Sequence, residues 1–342
     1  MEFTKEQTNI AKGVAVCLLF VHHLFGFEDR FLDGNRFIQV IPFFNLEAEI
    51  AGFGNICVAM FVFLSGYGMY SSYLSTKQPL LSYTLKKLRN FYFTFWLYFL
   101  VFVPIGLRYY TQITIWGSDQ VRFLSDSKIF LANFVGWSSS YNDDWWFVWT
   151  FICLLALFPL YAKLAQKNIV SLVFISLLLL VLSSKFGPYG HLSFAYWQTS
   201  FALGILCAKA RFFSSNILIK HFDKPGLPFI VAWLILCVVL RRQVGGTRLD
   251  FLIIPFFIFF SCKAVSLLNL SKPFAYLGKY SFPLWLTHSF FAYYYFQSIV
   301  YYPKWSPFVF LALTTLSLLS VVGIEALRSY CLRVNKLIWR RI

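Results

Sequence analysis

The sequence predicts an all-α protein, a polytopic membrane bundle of about ten transmembrane helices. Of its 342 residues, 59% are hydrophobic and only 13% are charged, whereas soluble domains are closer to half apolar and a quarter charged. The apolar runs are long and continuous. About 20 apolar residues cross the hydrocarbon as a helix, because a helix satisfies its own backbone polar groups. This composition excludes a soluble enzyme.

The same pattern predicts a single domain over residues 1–342, with no fused soluble domain. No polar interval between Ala11 and Ser329 is long enough to fold separately. The seven cysteines include no Cys-x-x-Cys pair, so neither a disulfide framework nor a metal site is expected. The net charge of +16 sits in short connectors between apolar runs, where it marks membrane topology. No nucleic-acid partner is expected.

Ten spans are predicted from the apolar runs. They are about 9–27, 51–74, 90–107, 145–163, 168–184, 193–212, 227–240, 249–269, 273–302 and 306–329. The first has no small-residue cleavage site after it and carries His22 and His23, so it is a retained helix and not a signal peptide. The seventh is short, and the ninth contains Pro283, which predicts a kink or break.

The distribution of charge predicts that both termini are cytoplasmic. With the N-terminus inside, roughly two thirds of the 30 Lys and Arg residues fall in cytoplasmic segments, and most acidic residues fall outside. This asymmetry follows the positive-inside bias. An even number of spans returns the basic tail, with Arg340 and Arg341, to the cytoplasm. We expect a multi-pass protein of the cell (plasma) membrane, in contact with membrane lipid.

Ionisable side chains within the first apolar run are candidate functional residues, because they are costly in a membrane. Lys12 and His23 are 11 residues apart, which returns a helix to about the same face after a rise of about 16 Å. Lys12 is equally explained as a positive-inside anchor. A structural histidine is the less favoured explanation of His23, because a buried imidazole needs partners and titrates near neutrality. His22 points about 100° away from His23 and is expected to play a supporting role.

Three further places carry candidates. Lys86 and Arg89 share a helix face at the start of the third span and are spaced to clamp a phosphate, although composition alone favours headgroup contact or topology as their explanation. Asp143 and Asp144 precede the fourth span, where a carboxylate near hydrocarbon needs a partner such as an imidazole. His288 lies deep in the ninth span, and helix packing is an alternative explanation for it.

Six motifs follow one another along nearly the whole chain. They are Lys12 with His23, the run 55–67 ending in Ser65-Gly66-Tyr67, Lys86 with Arg89, Asp144-Trp145-Trp146-Phe147 with Pro159, Phe201-Ala202-Leu203-Gly204, and Leu277-Gly278-Lys279-Tyr280-Ser281 closing on His288. In this order and spacing the chain resembles the acyltransferase family three membrane proteins. Lysine stands at positions 12 and 86, where arginine is commoner in that family. Lysine contacts phosphate as a point charge and not through a bidentate fork.

The resemblance implies transfer of an acetyl group from acetyl-CoA to a hydroxyl of a cell-envelope or capsular polysaccharide, or of its lipid-linked precursor. On this interpretation Lys12, Lys86 and Arg89 bind the phosphates of CoA, and His23 is the general base. Asp144 would fix the tautomer of His23 and stabilise its imidazolium. An acyl-histidine intermediate is an alternative route. The residues expected around the acceptor are His22, Ser65, Tyr67, Asp143, Trp146 and His288.

Two other classes of protein stay open on the sequence alone. A transporter or flippase for a polysaccharide or lipid-linked glycan would also have many helices, a buried histidine and a broken helix. A membrane scaffold or sensor would share the composition but would not depend on His23.

Overall fold

The structure, a computed structural model, describes residues 3–32, 36–216, 218, 222, 226–243 and 247–339. In these ranges the chain is helical, and its extended pairing is limited to the isolated bridges Ile38 with Trp305 and Thr114 with Val121. The predicted all-α class is confirmed. The tail residues Arg340 and Arg341 lie outside the described residues.

The α-helices within the described ranges are numbered here in chain order. They are α1 (Lys5–Phe25), α2 (Leu46–Gly54), α3 (Ile56–Leu74), α4 (Leu80–Tyr109), α5 (Ser127–Phe134), α6 (Trp146–Lys167), α7 (Ile169–Leu182), α8 (Ser193–Lys209), α9 (Leu227–Gln243), α10 (Asp250–Leu267), α11 (Ser271–Lys279), α12 (Ser281–Ser289), α13 (Gln297–Tyr301) and α14 (Ser306–Trp339). A π-helical turn, Phe290–Tyr294, follows α12.

Six segments of the described chain are long and apolar enough to cross a bilayer. They are Lys5–Phe25, Leu46–Leu74, Leu80–Tyr109, Asp143–Lys167, Thr247–Leu267 and Ser306–Cys331. Each of the ten predicted spans overlaps a helix, but α7 has 14 residues and α8 and α9 have 17. The protein is therefore a multi-pass helical membrane protein. The count of ten spans and the side of each terminus stay predictions.

The ninth predicted span is broken, as its proline indicated. It is divided into α11, α12, the π-helical turn and α13. Pro283 lies in the first turn of α12, where its missing N–H would have no helical partner in any case. These short pieces direct backbone and side-chain groups of residues 281–301 towards the last turn of α1.

The ends of α1 are capped in different ways. At its start, Thr4 and Gln7 exchange side-chain-to-backbone hydrogen bonds of 3.1 and 3.3 Å, a capping box that satisfies two orphan donors. At its other end, the carbonyl oxygen of His23 accepts from the Tyr293 hydroxyl at 2.7 Å. The carbonyl of Leu24 accepts from Tyr301 at 2.6 Å. Tyrosines thus supply the partners that the last turn of a helix lacks.

Glycines set how closely α3 and α8 approach. A Cβ atom on Gly66 would lie 2.2 Å from the carbonyl oxygen of Phe201, and one on Gly204 would lie 2.1 Å from that of Phe63. No side chain larger than hydrogen fits at such separations. Small residues at helix contacts are how membrane helices pack closely. The glycines of two sequence motifs, Ser-Gly-aromatic and Phe-x-x-Gly, therefore hold the fold together.

The contact between α1 and α11 is built in the same way. A Cβ on Gly13 would lie 2.0 Å from the carbonyl oxygen of Phe274, and one on Gly278 would lie 1.8 Å from that of Asn9. The Leu-Gly motif of the ninth segment thus fixes α1, the helix that carries Lys12 and His23.

We predict that Gly66→Ala lowers the free energy of unfolding by about 1–3 kcal/mol, because the added methyl group overpacks the α3–α8 contact. The matched control is Gly68→Ala on the same helix, where nothing lies within 4 Å of the added Cβ. Thermal unfolding of the purified protein in detergent measures both. Equal midpoints for the two variants would contradict the packing role of Gly66.

Candidate active site

His23 lies in the last turn of α1 and is 8% exposed. Its Nδ1 is 2.9 Å from the hydroxyl of Tyr293, and the same hydroxyl lies 2.7 Å from the His23 carbonyl oxygen. A tyrosine hydroxyl has one proton to donate and lone pairs to accept with. Both contacts are satisfied only when Tyr293 donates to the carbonyl and accepts from Nδ1–H.

This pairing fixes the tautomer of His23. With the proton of the neutral ring on Nδ1, the lone pair is on Nε2. The alternative, in which Tyr293 donates to Nδ1, would leave a buried carbonyl at the helix end without its donor. Tyr293 therefore prepares His23 to accept a proton at Nε2.

Asp144 is positioned by the hydrogen bonds of two nearby residues, Asn142 and Trp145. The Asn142 side chain caps the turn Asp143–Trp145 by accepting from the Asp144 N–H at 3.1 Å, and it exchanges hydrogen bonds of 2.8 and 3.0 Å with Ser289. The Trp145 indole donates to the carbonyl of Leu286 at 3.1 Å. These bonds hold the start of the fourth predicted span against α12.

As a result, the Asp144 carboxylate lies between two histidines. Its Oδ1 is 3.7 Å from Nδ1 of His23, and its Oδ2 is 3.5 Å from Nε2 of His288. The predicted imidazole partner is present, and there are two. Nδ1–H of His23 donates its direct hydrogen bond to Tyr293 and not to Asp144, the partner that the sequence predicts. Asp144 lies beside His23 without a hydrogen bond to it.

A cavity of 1470 Å³ leads to these residues. Near the start of α1 it is lined by four cations, and near the end of α1 by polar and aromatic residues of the site. The cations are Lys5, Lys12, Lys87 and Arg211, and the residues at the other end are His23, Asp144 and Trp146. We call the first end the basic end.

Interactions between neighbouring groups show that the four cations meet at one end. Lys87 and Lys5 are close enough to repel Lys12 electrostatically. Phe213, two residues after Arg211, stacks on Phe3 at the start of α1 with ring centroids 4.2 Å apart. Lys12, at the basic end, is about 16 Å from His23 along α1, by the rise of an α-helix over 11 residues.

The structure places only one of the predicted phosphate-binding residues on the cavity. Lys12 lines it, whereas Lys86 and Arg89 are exposed and do not. Lys87 lines it instead. Consecutive residues of a helix point about 100° apart, so a shift of one position decides which lysine faces the cavity. The start of α4 thus brings a basic residue to the cavity, but that residue is Lys87 and not Lys86 or Arg89.

The predicted acceptor residues of α3, Ser65 and Tyr67, both line the cavity. Ser65 lies on the wall and donates to the Phe61 carbonyl at 2.7 Å. Tyr67 lies at the basic end, with its ring 5.3 Å from that of Phe3 and 5.6 Å from that of Phe213. Tyr67 therefore lies at the opposite end of the cavity from His23.

Three other predicted acceptor residues have protein partners or lie at the site itself. Nδ1 of His22 is 2.7 Å from the Ala51 carbonyl oxygen, which ties α1 to α2. Asp143 accepts from Arg122 at 2.7 Å. Trp146 lines the cavity beside His23. The side chains of His22 and Asp143 are thus engaged by protein partners, whereas Trp146 lies on the cavity wall.

Arg122 and Arg30 form a cationic layer beyond His23. Burial works to lower the pKa of Arg122, but Tyr294 and the Asp143 carboxylate outweigh it, so the pKa lies above its usual value and the charge is kept. The Arg30 guanidinium lies 4.2 Å from the ring of Trp116. Aromatic faces attract such cations.

Sequence reasoning missed Tyr293, Lys87, Arg211 and Arg30. Tyr293 is one of 20 tyrosines, and no spacing relative to His23 separates it from the others. Lys87 is adjacent to Lys86, the lysine that was predicted to bind phosphate. Arg30 follows the first predicted span closely and resembles any charge at a membrane boundary.

Together, the fold and the site define a class: a multi-pass helical membrane protein with a buried histidine and carboxylate at the end of a cation-lined cavity. A family model described as an acyltransferase domain matches residues 6–325. The chain belongs to this family, acyltransferase family three, so the resemblance seen in its motifs is confirmed. Searches of the curated proteins and of the solved structures found no match.

We predict that Tyr293→Phe lowers acyl transfer by about tenfold, because Nδ1 of His23 loses its acceptor and the ring its fixed tautomer. Tyr301→Phe is the matched control, since it removes a hydroxyl bonded to the neighbouring carbonyl of Leu24 without touching His23. Acylated product is quantified at equal protein levels. A similar loss in both variants would reduce Tyr293 to a helix cap.

Proposed function

We propose that the protein is a membrane O-acetyltransferase of the plasma membrane. It takes an acetyl group from cytoplasmic acetyl-CoA and transfers it to a hydroxyl of a cell-envelope or capsular polysaccharide, or of the lipid-linked precursor. The observation that carries the proposal is the cavity that joins the basic end to His23. Membership of an acyltransferase family supports the reaction class.

The shape and charge of the cavity suit acetyl-CoA. This donor carries its phosphates at one end and its thioester at the end of a long arm. Lys12, Lys87 and Arg211 provide positive charge at the basic end, and Lys5 adds to it. Between this end and His23 the wall is largely apolar and includes Leu19, Phe61 and Leu64, which suits an uncharged arm.

The chemistry follows from the free Nε2 of His23. This nitrogen takes the proton of the acceptor hydroxyl, the oxygen attacks the thioester carbonyl carbon, and the carbon–sulfur bond breaks. The proton then passes from His23 to the sulfur of CoA, so the enzyme returns unchanged. Tyr293 and Asp144 lie on the Nδ1 side, where they support the positive charge that the ring carries between these two steps.

The acceptor is proposed to approach from the end at which Asp144 and Trp146 lie. Trp146 offers an aromatic surface there, with the ring of Tyr189 5.0 Å away. Aromatic faces and polar side chains are the groups that bind sugars in such sites. The proposal therefore places donor and acceptor at opposite ends of one cavity, with His23 between them.

The function is tested by mass spectrometry of envelope glycans from cells with the wild-type protein, with His23→Ala, and with none. His23→Ala should insert normally but lose acetylation by on the order of 100-fold, since general-base catalysis is removed. His22→Ala, which alters the neighbouring ring, should be milder. Near-normal acetylation with His23→Ala would disprove the general-base assignment, and identical glycans with and without the protein would disprove the acceptor class.

We predict that Lys87→Gln raises the KM for acetyl-CoA severalfold, with the effect diminishing at high salt, because a phosphate-binding charge on the cavity wall is lost. Lys86→Gln is the matched control, as it removes the adjacent charge that lies outside the cavity. Initial rates at varied acetyl-CoA measure both. A larger effect from Lys86→Gln would return donor binding to the residues first suggested by the sequence.

A further inference from the structure

Two buried atoms of the site face each other without a hydrogen-bond partner. They are Oδ2 of Asp144 and Nε2 of His288, which are 3.5 Å apart. Neither is accessible to water, and neither has a donor or acceptor within hydrogen-bond geometry. His288 is fully buried, and Asp144 is 7% exposed. A buried polar atom without a partner is costly, so this pair requires an explanation.

The hydrogen bond of His288 shows which of its ring nitrogens carries the proton. Its Nδ1 is 2.8 Å from the carbonyl oxygen of Trp285. A carbonyl only accepts, so the proton of the neutral ring is on Nδ1 and the lone pair is on Nε2. If Asp144 is ionised, its Oδ2 also offers only lone pairs. Two acceptors would then oppose each other at a place that water does not reach.

We propose that Asp144 and His288 hold one proton between Oδ2 and Nε2, which makes His288 the positioning residue for the carboxylate beside His23. The proton turns two opposed acceptors into one donor and one acceptor. Closing the gap by about 0.7 Å then gives an ordinary hydrogen bond. Asp144, held on this side by His288, keeps its other oxygen towards His23.

The other charged groups near this pair do not supply a hydrogen-bond donor to Oδ2 of Asp144. Arg30 attracts Asp144 electrostatically from the loop after α1, but the ion-pair contacts of Asp144 among the described residues are with His23 and His288. Arg122 and Asp143 are bonded to each other. Arg30 thus attracts the carboxylate without supplying a donor to Oδ2.

A metal ion is the rival occupant, because His23, Asp144 and His288 each offer a ligand atom within 4.8 Å of the others. The hydrogen bond of His23 to Tyr293 restricts a metal to one nitrogen of that ring. Nδ1 of His23, the atom nearest Asp144, donates its proton to Tyr293 and has no lone pair to give. Nε2 of His23 keeps a lone pair, so the metal content of the purified protein decides between the two occupants.

Infrared difference spectroscopy of the purified protein tests the proton directly. The wild-type spectrum minus that of Asp144→Asn at neutral pH should show either the carbonyl stretch of a protonated Asp144 or the ring bands of a cationic His288. His288→Leu should shift or abolish that signal. A spectrum with an ionised carboxylate and a neutral ring would overturn the proposal, as would a stoichiometric transition metal in the purified protein. This arm does not depend on the proposed function.

Activity provides the second arm, which rests on the proposed function. Asn at position 144 presents an N–H to Nε2 of His288, whereas Leu presents nothing, so Asp144→Asn should retain about tenfold more transfer than Asp144→Leu. Likewise His288→Gln, which can donate to Asp144, should exceed His288→Leu. Equal losses within each pair would overturn the shared proton. An inactive wild-type protein with the expected infrared signal would instead refute the function alone.

Discussion

The reciprocal hydrogen bonds between Tyr293 and His23 join α1 to the π-helical turn and decide where the buried imidazole carries its proton. Because Tyr293 has one proton and gives it to a carbonyl, Nδ1 of His23 must donate and Nε2 must be free. The broken ninth segment is what makes this possible. A straight helix over residues 271–301 would satisfy its own backbone and would not present Tyr293 and Tyr301 to the end of α1.

Two kinds of residue recur in the motifs, and the structure separates them. Gly66, Gly204 and Gly278 lie where a Cβ would meet a neighbouring carbonyl oxygen, so they set the distances between helices. His23 and Asp144 lie at the end of the cavity. By setting the distances between helices, the glycines determine where His23 and Asp144 lie. This arrangement explains how motifs far apart in the chain can belong to one site.

Several features of the candidate site could be predicted from the sequence. The cost of placing ionisable groups in a membrane singled out His23 and Asp144, and the structure brings them within 3.7 Å of each other. The choice between Lys86 and Lys87 could not be made, because it depends on the rotation of α4. Tyr293 could not be predicted, since its role depends on a hydroxyl proton and a helix end that meet only in the folded chain.

The proposed function requires that one cavity delivers a thioester from the basic end to Nε2 of His23. It is tested most directly by a structure of the protein in lipid nanodiscs with a non-hydrolysable acetyl-CoA analogue. We expect the phosphates beside Lys12, Lys87 and Arg211, and the acetyl group within contact of Nε2 of His23. An analogue bound with its acyl end away from His23, or with its phosphates outside the basic end, would contradict it.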